Sequence, residues 1–290
     1  MNQQLYPYSA IVDRPPLRWP GGRPLAFYLG LNIEHFHVDR PATSTSAATV
    51  GLVPDPMNYG WRDYGVRVGI WRLIDLLDRL QMPASVLLNS EVCREYPQIV
   101  EAGVDRGWAW LGHGQTNSTF QANMEVDDER TYLREMHEAI SAATGTSPTG
   151  WLGPALTETF NTPRLLAELG YTYVLDWCAD DQPFALNVPG MISVPYSVEV
   201  NDITLFVGRN LAGDDYVRMV LDTLEQLLED SREDAGRVLA LPIHPFVVNQ
   251  PLRHKYLVRV LTEIAARDDV WVTTSDAIAA HYLAQKEQPS

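Results

Sequence analysis

Cysteine is nearly absent. Cys93 and Cys178 are the 2 in 290 residues, too few for a disulfide framework, and neither stands in a Cys-x-x-Cys pair that would signal structural zinc or a redox centre. Positive charge is also scarce. The 22 Lys and Arg face 37 Asp and Glu, a formal charge of -15, which repels phosphate backbones and anionic lipid and argues against nucleic-acid or membrane partners. From Met1 to Pro20 no basic segment is followed by an apolar run, so neither a signal peptide nor an anchor is expected, and the expected compartment is the cytoplasm. No Gly-rich dinucleotide or P-loop fingerprint follows the first apolar run, which removes the usual nucleotide-binding sheets. What the chain does have is 46% hydrophobic residues, ample for a sizeable core.

That apolar content alternates between two patterns. Leu25 to Ile33 reads as a fully buried strand, apolar on both faces as in parallel sheets. Val66, Ile70, Trp71, Ile74, Leu77 and Leu80 fall at helical spacing before a strand at Ala84 to Leu88. Further helix and strand pairs follow: Tyr96 to Arg106 then Trp108 to Leu111, Asp127 to Thr144 then Gly150 to Pro154, and Pro163 to Leu169 then Tyr171 to Leu175. Less regular β segments are expected near Met191 to Val194 and Ile203 to Val207. After an amphipathic helix at Tyr216 to Glu229 come a strand at Val238 to Ile243, a helix at Leu252 to Ala266, a strand at Val270 to Thr273, and a last helix capped by Ser275. Roughly seven alternations without a linker predict one α/β domain over residues 25–285, preceded by an irregular arm over residues 1–24. The sparsely charged connection of residues 40–58 has no role readable from its composition.

Polar residues stand at the C-terminal ends of many strands: Glu34, Asn89, His113, Asp176 and His244, with Trp151 among them. Such a distribution is what a barrel produces, because its site collects residues from several strand ends at one face. The residue types suit hydrolysis of an amide-like bond, which needs a base for water, donors for the oxyanion and an acid for the leaving nitrogen. Glycines flank His113 in Gly112-His113-Gly114-Gln115-Thr116-Asn117, allowing a tight turn and close approach of a substrate. A histidine capping a turn accounts for that stretch taken alone.

As an ordered set, Asn32-Ile33-Glu34-His35, Gly112 to Asn117, Gly150-Trp151-Leu152-Gly153-Pro154, Asp176-Trp177 through Pro183, and Leu241-Pro242-Ile243-His244-Pro245 resemble the polysaccharide deacetylase (NodB homology, carbohydrate esterase family 4) superfamily. The set is most similar to its allantoinase and cyclic imide hydrolase branch. The resemblance implies a distorted (β/α)7 barrel and a small-molecule hydrolase of non-peptide carbon–nitrogen bonds. It also implies Glu34 as base, His244 as acid, and His113 orienting water or holding a divalent metal such as zinc with Glu34, His35 and Asn117. Asn117 stands where the family places a second metal-binding histidine, and amide oxygen is a poor zinc ligand. An arginine expected before Pro154 is likewise replaced by Trp151-Leu152-Gly153. Substrate contacts are expected from Asn117, Trp151, Gly153, Pro154, Asp176, Trp177 and Arg62. The preferred reading is ring-opening of a small cyclic ureide or imide; a metal-dependent N-deacetylase and an inactive ligand-binding barrel are the alternatives. Homotetramers are what the resemblance implies. His35 and His37 otherwise serve packing or loop hydrogen bonds.

Overall fold

A computed structural model describes residues 5–40, 46, 48–49, 51–231 and 235–286. Much of the connection after Arg40 therefore lies outside the described residues. The strands are β1 (Leu25–Ile33), β2 (Ser85–Leu88), β3 (Ala109–Gly112), β4 (Gly150–Trp151), β5 (Tyr173–Val174), β6 (Phe184–Ala185), β7 (Ile192–Ser193), β8 (Arg237–Ile243) and β9 (Val270–Thr273). They form one sheet in the order β6-β7-β5-β4-β3-β2-β1-β8, with β9 paired to the N-terminal half of β1. Every pairing is parallel except β6 with β7.

Parity along β1 decides how the sheet is used. All its residues are buried, yet Leu25, Phe27, Leu29, Leu31 and Ile33 join one apolar cluster, while Ala26 and Tyr28 join another. Successive side chains of a strand point to opposite faces. The first cluster packs the sheet against α1 (Pro56–Tyr64), α2 (Ile70–Leu80), α3 (Ser90–Glu95), α4 (Pro97–Val104), α5 (Val126–Thr144), α6 (Thr162–Glu168), α7 (Gly213–Asp230) and α8 (Pro251–Ala265). The second gathers Leu87, Leu111, Leu152, Tyr173, Val194 and Ala240 on the inner side of the curl. The outcome is a single-domain half-barrel, the distorted (β/α) barrel expected from the alternation.

Both ends of the chain plug its base. Leu17 and Trp19 from the arm and Ile278 and Ala279 from α9 (Ser275–Lys286) belong to the inner cluster. The Trp19 indole donates to the Arg237 carbonyl at 2.8 Å. Arg14 clamps Asp180 through both terminal nitrogens, at 2.8 and 2.5 Å.

Two local expectations are corrected. Ile203–Gly208 is a widened helical turn rather than a strand; a short apolar run has no decisive periodicity, and here Asn201 tethers the turn by accepting from the Ile203 amide. The cap of α9 is Thr274, whose hydroxyl accepts from the Ala277 amide, one residue before Ser275. Ser275 instead donates its amide to the buried Ser85 hydroxyl and contacts the Tyr173 hydroxyl.

A second widened turn, Gly65–Gly69, joins α1 to α2. Its glycines allow the loop after β8 to press against the helices: a Cβ on Gly69 would stand 2.2 Å from the Pro245 carbonyl oxygen. Gly69→Ala is expected to destabilise the fold by about 1–3 kcal/mol, the usual cost of overpacking. Urea unfolding measures it; an unchanged midpoint would show that the helix pair can yield.

Candidate functional site

The parity that separates the two clusters continues past the strand ends. Glu34 keeps the phase of Ala26 and Tyr28, His113 that of Leu111, and His244 that of Val238 and Ala240, so all three point into the curl. They converge. His113 Nε2 lies 3.4 Å and His244 Nε2 3.7 Å from Glu34 Oε1, and the Asn117 amide nitrogen donates to the same oxygen.

Each of these side chains is oriented from behind. The second ring nitrogen of His113 contacts the Leu152 carbonyl at 2.7 Å; a carbonyl can only accept, so Nδ1 carries a proton. His244 Nδ1 meets Asp202 Oδ1 at 2.7 Å, and the His244 amide donates to Asp202 Oδ2 at 2.8 Å. Asp202 is fully buried. Asn117 is fixed through Asn89, whose Oδ1 accepts from the His35 amide at 2.9 Å, leaving its amide nitrogen to donate to Asn117 Oδ1 at 3.0 Å. A backbone N–H thus dictates that Asn117 presents N–H, not oxygen, to Glu34.

Burial opposes ionisation of Glu34, but His244, His113 and Arg62 outweigh it and hold the carboxyl below its usual range. Burial likewise disfavours charge on His244, and here Asp202 and Glu34 prevail, raising its pKa above the ordinary imidazole value. Arg62 is shifted down by burial, partly countered by Glu34.

These groups floor a cavity of roughly 370 Å³ walled by Phe36, Trp61, Phe120, Tyr196 and Phe246. The Arg62 guanidinium lies over the Phe36 ring, 4.1 Å from its centroid. Ala155 and Leu156, also in the wall, both adopt left-handed backbone conformations, with φ of 55° and 56°; non-glycine residues held this way often mark ligand-binding walls. Gly114 (φ +68) supports the His113 turn, since a Cβ there would meet the Tyr132 hydroxyl at 2.4 Å.

Of the residues expected from sequence, Glu34, His113, Asn117, His244 and Arg62 line this cavity. Trp151 does not. It falls on the helix-facing side of β4, fully buried in the outer core, and its neighbour Leu152 takes the inward position. Gly153 and Pro154 lie behind the wall: Gly153 donates its amide to Asp176 Oδ1 at 2.7 Å, and a Cβ on it would sit 2.0 Å from the Thr157 carbonyl. Asp176 and Trp177 instead line an adjacent cavity of roughly 590 Å³ with Glu158 and Phe160. There burial and the neighbouring Glu158 hold the Asp176 carboxyl well above the carboxylate range, and burial pushes Glu158 up to about 7.

The metal set implied by resemblance does not assemble. His35 has the opposite parity to Glu34, and its ring turns outward to Tyr96 and Glu91. Asn117 offers N–H rather than a donor oxygen. Only Glu34 and His113 of the four keep a suitable atom in the cavity, too few for a stable divalent site. Asp202 and the aromatic wall were missed by sequence reasoning. Asn201-Asp202 before an apolar run is the one sequence signal that pointed to Asp202, as a helix start.

Comparison with known proteins agrees with this architecture. A family model described as polysaccharide deacetylase matches residues 58–174. A protein from Schizosaccharomyces pombe described as "Putative polysaccharide deacetylase" is 24% identical over 308 residues, covering 94% of this chain and 94% of its own length. The crystal structure of PuuE allantoinase superposes with a TM-score of 0.86 at 25% identity, over 98% of this chain and 99% of that one. The "probable Polysaccharide deacetylase" of Pseudomonas aeruginosa PAO1 gives a TM-score of 0.85 at 25% identity, over 98% and 100%. With the strand-end motifs in order and the half-barrel complete, residues 58–174 match the polysaccharide deacetylase family and the chain as a whole is similar to members of that superfamily, hydrolases of non-peptide carbon–nitrogen bonds.

Proposed function

We propose that the chain opens a small cyclic ureide or imide by hydrolysis. The observation that carries this reading is the pairing of Glu34 with two histidines at the floor of a cavity of roughly 370 Å³ with aromatic walls. Such a space suits one flat ring packed between aromatic faces better than a polymer chain. The whole-chain likeness to an allantoinase structure supports it.

The chemistry follows from the charge states. Glu34, held ionised, accepts a proton from water as the water oxygen attacks a ring carbonyl carbon. Negative charge developing on the carbonyl oxygen is met by the Arg62 guanidinium and the Asn117 N–H, while His113, whose N–H is committed to the Leu152 carbonyl, turns an accepting Nε2 to the water. The ring carbon–nitrogen bond then breaks, and His244, kept protonated by Asp202, gives its proton to the departing nitrogen. Glu34 has gained the proton that His244 has lost, so exchange with solvent resets the pair. An imide or ureide carbonyl is more electrophilic than an ordinary acetamide, which lowers the demand for Lewis-acid assistance.

Incubating the protein with allantoin, hydantoin and succinimide rings, and separately with N-acetylated amino sugars, tests the assignment. Ring-opening with no deacetylation is expected; acetate release without ring-opening would replace the reading with an N-deacetylase, and turnover of neither class would leave a binding protein. Glu34→Gln should lower kcat by about 10²–10⁴-fold, the range for losing a positioned base, with ring binding retained by calorimetry.

The two pKa shifts give a sign for pH. Activity requires Glu34 deprotonated and His244 protonated. The acid limb of kcat/KM therefore falls below the ordinary carboxylate range and the alkaline limb above the ordinary imidazole value. Asp202→Asn removes the charge that stabilises the imidazolium, so the alkaline limb should move to lower pH while the acid limb moves little. A pH–rate profile with an unmoved alkaline limb would remove His244 from the acid role.

A further inference from the structure

We propose that His35, His37 and Glu91 form a divalent transition-metal site of the zinc type on the outer face of the half-barrel, separate from the Glu34 cavity. Their ligand atoms all lie within 4.8 Å of one another, and this is the one such group found among the described residues. His35 Nε2 is 3.7 Å from Glu91 Oε2, and His37 Nε2 already touches the same oxygen. Tetrahedral zinc, with ligand bonds of about 2.0–2.1 Å, holds its ligand atoms roughly 3.3 Å apart. A small outward shift of His37 accommodates it.

The surroundings are those of a built site rather than a chance ion pair. The other nitrogen of His35 contacts the Tyr96 hydroxyl at 3.1 Å, which fixes the ring with Nε2 toward Glu91, the outer-shell arrangement typical of metal-bound histidine. The main chain bearing the two histidines is pinned along its length. The His35 carbonyl accepts from the Asn117 amide at 3.0 Å and the Thr116 hydroxyl at 2.8 Å. The His37 amide donates to the Ser118 hydroxyl at 2.9 Å. Glu91 is placed by its own amide, which donates to the Gln115 carbonyl at 3.1 Å. The side chains are 12%, 23% and 20% exposed, so an ion has a route in and a fourth position open to water.

Strand parity explains why the site lies here. His35 and His37 share the outward phase, and Glu91 meets them from the first turn of α3. An ion bound here is anchored to the segment His113 to Ser118 by four hydrogen bonds or backbone contacts, and so stiffens the turn that delivers His113 and Asn117. It acts through that turn and touches no reacting atom.

The test uses full-length protein stripped with a chelator, dialysed against zinc chloride and assayed by elemental analysis and chelator competition. One zinc per chain is expected, with visible bands of tetrahedral coordination when cobalt(II) replaces it. His37→Ala and Glu91→Gln should each weaken binding by about 100-fold or more, and Tyr96→Phe by about 10–100-fold; thermal melting of the stripped variants checks that they fold. Glu34→Gln should keep the full zinc content. No zinc retained by the parent chain, zinc retained by folded His37→Ala and Glu91→Gln, or zinc lost with Glu34→Gln would each overturn the proposal. None of these readouts depends on the substrate assignment.

Discussion

A single buried carboxylate sets the terms for the rest of the molecule. Taking an isolated carboxylate out of water costs several kcal/mol, and a charge-assisted hydrogen bond returns about 1.5–3 kcal/mol. One partner is therefore not enough for Glu34. His244, His113 and Arg62 together reverse the burial penalty, and the carboxyl, which also accepts a hydrogen bond from Asn117, ends below its usual range rather than above it. The four partners arrive from three elements: the loop after β3 brings His113 and Asn117, the end of β8 brings His244, and α1 brings Arg62. A sheet that curls is the economical way to bring them to one oxygen atom.

His244 faces the same problem with the opposite sign. Its imidazolium is disfavoured by burial and rescued by Asp202, which commits both oxygens to it. Glu34 and His244 are thus mutually dependent: each is the counter-ion that makes the other's charge tolerable. Such a pair favours a base and an acid in complementary states at one pH, the condition the proposed ring-opening needs. Two other buried carboxyls, Asp176 and Glu158, lack a cation and are driven toward the neutral form. The contrast shows how much of the charge state of Glu34 and His244 comes from their surroundings.

How much of this was readable beforehand varied with the physical signal. Glu34, His113 and His244 were legible because each ends an apolar run, where a polar side chain faces the open end of a sheet. Trp151 was misplaced for a related reason: a strand end names two faces, and only the register of β4 against β3 says that Leu152, not Trp151, points inward. Asp202 follows a segment with no periodicity, and the wall residues Phe36, Trp61, Phe120 and Phe246 come from loops and helix ends with nothing in sequence to join them. The half-barrel itself was legible from alternation. The widened turns at Gly65–Gly69 and Ile203–Gly208 were not, because they depend on contacts with the loop after β8 and with Asn201.

The amide chain from the His35 backbone through Asn89 to Asn117 gives the cavity a fixed polarity, and that polarity limits what the cavity can be converted into. Reaching a zinc-binding deacetylase from this chain is not one substitution away. A histidine at position 117 would supply imidazole beside Glu34, but the residue after Glu34 would still face outward, and Asn89 would lose the acceptor that its orientation presupposes. An imidazole-type metal site in this cavity would therefore need a concerted change at positions 35, 89 and 117, which makes it and the present arrangement two separate, self-consistent hydrogen-bond patterns.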